Sequence, residues 1–264
     1  MTGKIHIGIG GWTYAPWRGA FYPADLTQKR ELEYAAARLS SIEINGTYYG
    51  SQKPESFEKW RDETPDGFVF AVKGPRFATN RRVLAEAGPS IERFFDSGVM
   101  RLGEKLGPVN WQFMATKKFD PEDFAAFLAL LPKTVEGRAI RHAVEVRHDS
   151  FRAPEFVALA RAHGVAVVTA GDSDFPQIAD ATAPFAYLRI MGTTGTEPAG
   201  YSDAALAVWA ARLRAIAGGN PPEGLATVTE PPAHPAARDV FLYVISGHKV
   251  ANPAAAMRLL DLLG

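Results

Sequence analysis

Hydrophobic and polar positions alternate through Ala143-Val-Glu-Val-Arg147, placing Val144 and Val146 on one face of an extended strand and Glu145 and Arg147 on the other. A loop containing His148 and Asp149 follows, then a helical pattern over Pro154 to His163, then the apolar run Val165 to Gly171. Strand, loop, helix and strand in that order form the unit of a parallel sheet, which is covered on both faces. Glu145 and Arg147 therefore point into a packed interior rather than into water.

The same pattern recurs along the chain. Apolar runs at Ile5–Gly10, Ser41–Asn45, Phe68–Lys73, Val109–Met114, Phe185–Met191 and Asp239–Ser246 join the two just described, giving eight predicted strands. Helical patterns lie between most of them: Lys29 to Leu39, a segment starting near Pro54, Ser90 to Arg101, Asp120-Pro121 to Leu131, and Ser202-Asp203 to Ile216. A last helix opens at Asn252-Pro253 and runs to Leu263. Eight strands in a chain of this length predict a (β/α)8 TIM-type barrel forming one α/β domain over residues 1–264. The rival is a doubly wound open sheet. It calls for a glycine-rich turn opening a helix, whereas Gly8-Ile-Gly-Gly11 runs into Trp12-Thr-Tyr-Ala-Pro-Trp17. The Pro/Gly-rich segment from Gly218 to Pro235 reads as a surface excursion, with Thr227 to Glu230 as a short extra element.

In a barrel one phase of each strand faces the helices and the other faces the lumen, with active sites at the C-terminal mouth. Assigning the apolar phase outward puts Glu43, Asn45, Lys73, Asn110, Gln112, Glu145, Arg147 and Arg189 inward, from five strands. Asp172, Trp12, Tyr14 and His148 come from loops at the same end. Each has a structural and a chemical reading. Glu145 with Arg147 can be part of a buried ion network, since buried charges require partners, or Glu145 can be a general acid/base. Glu43 can act likewise or pair with Lys73. Lys73 can bind an anion, form an imine or only neutralise Glu43. Arg147 and Arg189 suit a carboxylate or phosphate, Gln112 and Asn45 orient, and His148 is a proton-shuttle candidate by its pKa class.

Composition narrows the field without choosing a reaction. The 29 basic and 29 acidic residues balance, so the overall field favours neither nucleic acid nor an anionic membrane. The absence of cysteine excludes disulfides and thiolate chemistry. None of the 6 histidines shows tight ligand spacing, so no metal site is predicted, with a divalent ion on Glu43, Glu145 and Asp172 as the alternative. No apolar run approaches the ~20 residues that span a bilayer, and a cytoplasmic protein is expected. Trp12, Tyr14, Trp17, Phe21, Tyr22, Tyr48 and Tyr49 give the first two loops an aromatic character that serves either stacking on a ligand or closing the loops.

Several segments, in order along nearly the whole chain, carry a family resemblance. They are Gly10-Gly-Trp-Thr-Tyr14 with Trp17-Arg-Gly-Ala-Phe-Tyr-Pro23, Ile42-Glu-Ile-Asn45 with Thr47-Tyr-Tyr49, and Phe68-Val-Phe-Ala-Val-Lys-Gly-Pro-Arg76. Leu106-Gly-Pro108 with Gln112, His142-Ala-Val-Glu-Val-Arg-His148, and Tyr187-Leu-Arg189 with Gly200-Tyr-Ser202 follow. Together they resemble the YecE-like family, domain of unknown function 72. The resemblance implies a TIM-type barrel and supplies no reaction. Against the family pattern, Met191 stands where relatives often carry histidine, and Val244-Ile-Ser-Gly-His248 replaces an asparagine-rich segment.

The expectation is an enzyme acting on a small polar or anionic molecule at the barrel mouth. Lys73, Arg147 and Arg189 would hold the anion, and Glu43 or Glu145 would serve as acid/base in hydrolase, lyase or isomerase chemistry. A nucleic-acid-binding module, with Arg76, Arg81 and Arg82 as a basic rim beside the aromatic loops, is the second reading. A partner-binding protein with a purely structural charged interior is the third.

Overall fold

Every strand of the central sheet lies parallel to its neighbours and hydrogen-bonds to the strand before and after it in sequence, so the sheet closes on itself. In the computed structural model, which describes residues 2–231 and 236–264, these strands are β1 (Ile5–Gly10), β2 (Ser41–Ile44), β3 (Val69–Lys73) and β4 (Leu106–Gln112). The second half comprises β5 (His142–Glu145), β6 (Ala166–Gly171), β7 (Phe185–Ile190) and β8 (Asp239–Val244). The pairing of Ile5 with Val240 through Ile9 with Val244 completes the barrel. The (β/α)8-type architecture expected from the strand pattern is thus observed.

Among the described residues, seven α-helices of six or more residues pack outside: α1 (Glu31–Ala36), α2 (Pro54–Asp62), α3 (Gly88–Asp96), α4 (Pro121–Leu130), α5 (Pro154–His163), α6 (Asp203–Ala217) and α7 (Asn252–Leu263). The α4 and α6 starts follow from their caps. Asp120 and Ser202 accept hydrogen bonds from the Asp123 and Ala205 backbone N–H groups, satisfying donors that the first helical turn leaves free. Asn252 departs from the expected capping role. It is the first residue of α7, and its side chain is turned to Thr193 and the Ser246 carbonyl instead. The connection from β6 to β7 has no helix, so the barrel carries one helix fewer than the ideal count.

The interior divides into two apolar regions. Phe70, Trp111, Val144 and Leu188 belong to the layer between strands and helices, whereas Ala71, Ala143, Val168, Phe185, Tyr187, Phe241 and Tyr243 fill the lumen. Large rings in the lumen require small partners on β1. A Cβ on Gly8 would stand 2.1 Å from the Ser41 carbonyl oxygen, so only glycine fits there. At the lower end His6 stacks on Phe241, with ring centroids 4.8 Å apart.

Three local differences from the sequence reading have simple causes. β4 begins at Leu106 and ends at Gln112, because Phe113 turns into the outer core and Met114 is exposed. A small hairpin, Thr134–Val135 with Arg138–Ala139, turns on Glu136 and Gly137, both at positive φ. Thr227 to Glu230 form no strand. They are held as a loop by Asp180, whose carboxylate accepts from the Val228 and Thr229 backbone N–H groups at 2.7 and 2.9 Å. The end of the expected excursion, including His234 and Pro235, lies outside the described residues.

Candidate functional site

The inward phase of β2, β3, β4, β5 and β7 delivers its polar side chains to one level near the C-terminal mouth. Parallel register sets that level: Glu43 pairs with Gly10, Lys73 with Asn110, and Gln112 with Glu145. Arg189 is the hub. Its Nη1 donates to Glu145 Oε2 at 2.6 Å and its Nη2 donates to Glu43 Oε2 at 2.9 Å, so one guanidinium joins carboxylates from β5 and β2 through the lumen. Above it, Arg147 donates to Glu145 Oε1 through Nε (2.9 Å) and Nη2 (2.7 Å).

Neutral groups complete the set. Tyr187 donates its hydroxyl to Glu43 Oε1 at 2.6 Å, and Asn110 donates to Glu145 Oε2 at 3.2 Å and more weakly to Glu43 Oε1 at 3.4 Å. The Asn45 amide is satisfied when its nitrogen faces Glu43 Oε2 (3.1 Å) and its oxygen faces the Gly11 N–H (3.3 Å). Lys73 donates to Gln112 Oε1, which also receives Arg189 Nη1 at 3.3 Å. The Lys73 ammonium lies 4.9 Å from the centroid of the Tyr48 ring. Thr47 fixes the end of β3 by donating to the Lys73 carbonyl at 2.7 Å.

Electrostatics separates these groups into two kinds. Burial on its own would raise the Glu145 carboxyl, but the charges of Arg189, Arg147 and Lys73 and the Arg147 hydrogen bonds prevail and hold it at about 2. Against the same burial cost, Glu145 and Glu43 push Arg189 further above the ordinary arginine range. Burial drives the Tyr187 hydroxyl well up, and the Glu43 charge adds to it. Lys73 behaves differently: burial, with Arg189 beside it, brings the amine down to about 8 despite the nearby Glu43 and Glu145. Lys73 is thus an amine brought down toward neutral pH.

This geometry alters several expectations. Arg189 does not offer a free clamp for an anion, because both terminal nitrogens are committed to carboxylates and the side chain is only 5% exposed. Glu43 pairs with Arg189 rather than with Lys73. Trp12 turns to the outer layer, where it packs against Trp60 and Phe70, and its carbonyl accepts from Tyr22. Tyr14 packs edge-on to Trp17, with Lys249 over its ring at 4.2 Å. His148 uses Nδ1 to accept from the Ser150 N–H at 3.1 Å, capping the turn Asp149–Phe151. Asp172 accepts from Trp209 Nε1 at 2.8 Å, and among the described residues no group of three or more His, Cys, Asp or Glu side chains is arranged to hold a metal.

Tyr187 was not singled out as a site residue in the sequence, although it shares the inward phase of Arg189 two positions away. Tyr243 was missed as well. It is paired in register with Arg189, and its hydroxyl lies 2.7 Å from Ser41 Oγ. Both tyrosines count as apolar in a periodicity pattern, and only the phase they share with charged neighbours marks them.

A TIM-type barrel with an ion network at its C-terminal mouth is therefore the class of protein that fold and site define. The chain belongs to the family described as Protein of unknown function DUF72, which matches residues 6–264. It is 30% identical to the UPF0759 protein YecE of Escherichia coli (strain K12) over 150 residues, 56% of this chain and 50% of that protein. It is 28% identical to the UPF0759 protein YunF of Bacillus subtilis (strain 168) over 114 residues, 41% of this chain and 39% of that one. The matched region spans half or less of these curated relatives. Among solved structures, a DUF72 family protein from Thermotoga maritima superposes with a TM-score of 0.74 at 21% identity, covering 98% of this chain and 99% of that one. One from Enterococcus faecalis gives 0.72 at 15% identity, covering 99% and 98%. A xylose isomerase-like TIM barrel/4-hydroxyphenylpyruvate dioxygenase fusion protein gives 0.53 at 16% identity over 97% of this chain and 42% of its own, a likeness of fold alone. No helix among the described residues is long and apolar enough to cross a membrane.

Proposed function

We propose that this protein is an enzyme acting on a small anionic molecule at the barrel mouth, with Lys73 and Arg147 meeting the anion and Lys73 transferring a proton. One observation carries this reading: three cations face two carboxylates, and the arginines occupy both carboxylates. Glu43 and Glu145 are bound to Arg189, Glu145 is bound again to Arg147, and Lys73 is left with an amide oxygen as its hydrogen-bond acceptor. With Lys73 protonated the network carries one positive charge in excess, in a place largely withdrawn from water. Arg147, at 22% side-chain exposure, keeps Nη1 without a hydrogen-bond acceptor, with its guanidinium 4.4 Å from the Phe175 ring centroid.

The proton-transfer role rests on Lys73 rather than on a carboxylate. A general acid or base works best with a pKa near the working pH. Lys73 at about 8 satisfies this, whereas Glu145 at about 2 is a weak base with every oxygen engaged. Glu43 and Glu145 act as counter-charges that fix Arg189 and Arg147 in place. Hydrolases, lyases and isomerases all use such a proton transfer beside a bound anion.

Calorimetric titration with small carboxylates and phosphate esters between pH 6.5 and 9.5 tests the reading. Binding that weakens as pH rises through about 8, where Lys73 loses its charge, supports it. Affinity that ignores pH across that range, and is the same in Lys73→Met, refutes it.

A further inference from the structure

The loop leaving β3 immediately after Lys73 contains a second basic feature that the network does not use. Arg76, Arg81 and Arg93, together with Phe77, Asn80 and Ser90, line a surface depression of about 500 Å³ that no acidic side chain enters. Among the described residues none of the three guanidiniums has a carboxylate within 4.0 Å. Arg38, Arg82, Arg212, Arg214 and Arg238 also lack such a partner, but Arg76, Arg81 and Arg93 are set apart by sharing one depression, whereas Arg18, Arg30, Arg61, Arg138, Arg161 and Arg258 each sit on an acid.

The three are not arranged at random. Arg81 is tied down by its Nε to the Phe77 carbonyl (3.1 Å) and by Nη2 to Ser90 Oγ (3.3 Å), which leaves Nη1 without a protein partner. Arg76 lies 5.5 Å from the Phe77 ring centroid and 5.7 Å from that of Tyr49. These two aromatic rings are among the most exposed apolar side chains of the molecule, at 59% and 64%. Like charges gathered without a counter-ion repel one another, and the arrangement gains most from a ligand that brings several negative oxygens to one point. Arginine's planar fork matches a phosphoryl group in that role, and exposed rings beside it offer faces for a flat substituent. Arg82 takes no part: it does not line the depression, and its carbonyl is bound by Lys117. Arg93 from α3, rather than the neighbour in sequence, completes the set.

We infer that Arg76, Arg81 and Arg93 form a binding subsite for a phosphoryl group, with Tyr49 and Phe77 as stacking faces for a planar ring attached to it. The group can come from a free phosphorylated small molecule or from a phosphodiester strand, and the inference holds whether or not Lys73 transfers a proton. Two probes separate the sources: phenyl phosphate, and an eight-nucleotide thymidine strand at low and at raised salt. Each is titrated into the wild type, Arg93→Glu, the doubly substituted Arg76→Ala/Phe77→Ala and the control Arg30→Ala.

Binding of either probe that weakens about ten-fold or more in the first two variants, and little in Arg30→Ala, supports the subsite. Phenyl phosphate binding marks a small-molecule ligand. Binding of the strand alone, falling steeply with salt, marks nucleic acid. Arg76, Phe77, Arg93 and Arg30 are exposed, so melting curves of these variants should match the wild type and any loss is one of binding. Failure of both probes to bind the wild type, or equal affinity in Arg93→Glu, overturns the inference.

Discussion

Arg189 on β7 and Glu145 on β5 meet with β6 between their strands, Nη1 lying 2.6 Å from Oε2, and the other nitrogen of the same guanidinium reaches Glu43 on β2. Each partner removes the cost of burying the others. Replacing Arg189 by Met leaves two carboxylates buried with too little compensation, and a loss of about 3–5 kcal/mol is expected from urea unfolding. A loss below about 1 kcal/mol would mean that water reaches the network freely.

Acid should dismantle the same network in a defined window. Glu145 lies near 2 when folded against an ordinary 4.5, so the unfolded chain takes up its proton first as pH falls. The stability it contributes is complete above about pH 4.5 and is lost progressively down to about 2. Comparing unfolding free energies of the wild type and Glu145→Gln, the wild type should fall more steeply across that window, by up to about 1.4 kcal/mol per pH unit. Parallel curves would show that Glu145 is not held as described.

Lys73 carries the opposite sign. Its folded value of about 8 lies below the ordinary 10.5, so the fold disfavours its charge, and the full cost is present below pH 8. Between about 8 and 10.5 the folded protein is already neutral there while the unfolded chain is still charged, so stability rises with pH. Lys73→Met should be at least as stable as the wild type at pH 7 and should lack that rise. Thermal melts of both proteins across the range provide the check.

Tyr187 offers a milder test of the hub. Removing its hydroxyl leaves Glu43 Oε1 with only the 3.4 Å bond from Asn110, and Tyr187→Phe should cost about 1–3 kcal/mol. If chemical unfolding shows no change, the 2.6 Å hydrogen bond contributes nothing.

The glycines of β1 make a contrasting pair. Gly8→Ala drives a Cβ into the Ser41 carbonyl, a backbone atom that cannot yield without moving β2, whereas a Cβ on Gly10 meets the Asn45 amide at 3.0 Å and the Ile245 side chain at 3.1 Å. The first substitution should prevent folding or lower the melting temperature sharply. The second should be tolerated far better, as circular dichroism melts would show.

Most of the barrel is visible in the sequence because strand periodicity is a local property. Val144 and Val146 against Glu145 and Arg147 fix a face without reference to any other strand. The helix-free link between β6 and β7 and the hairpin at Glu136-Gly137 are less visible. The first depends on packing between distant segments, and the second is too short to show a period. Site membership is legible to the same extent, since Glu43, Lys73, Gln112, Glu145 and Arg189 share the inward phase and do converge. Pairing within the site is not. Periodicity says which way a side chain faces, but the choice of Arg189 over Lys73 as the partner of Glu43 depends on the reach of a forked guanidinium through the lumen. The loop position of Trp12 and Tyr14 after β1 points to the site, but the outer core and Trp17 claim them instead.

The central claim is that the barrel mouth holds an uncompensated positive charge on Lys73 that an anion satisfies. Its most direct measurement is the thermal shift produced at pH 7 by a panel of small carboxylates and phosphate esters on the wild type, Lys73→Met, Arg147→Ala and the remote control Arg30→Ala. The account predicts that at least one anion raises the melting temperature of the wild type and of Arg30→Ala by several degrees, and that this rise is lost in Lys73→Met and reduced in Arg147→Ala. Equal stabilisation of all four proteins, or of none by any anion, would contradict it.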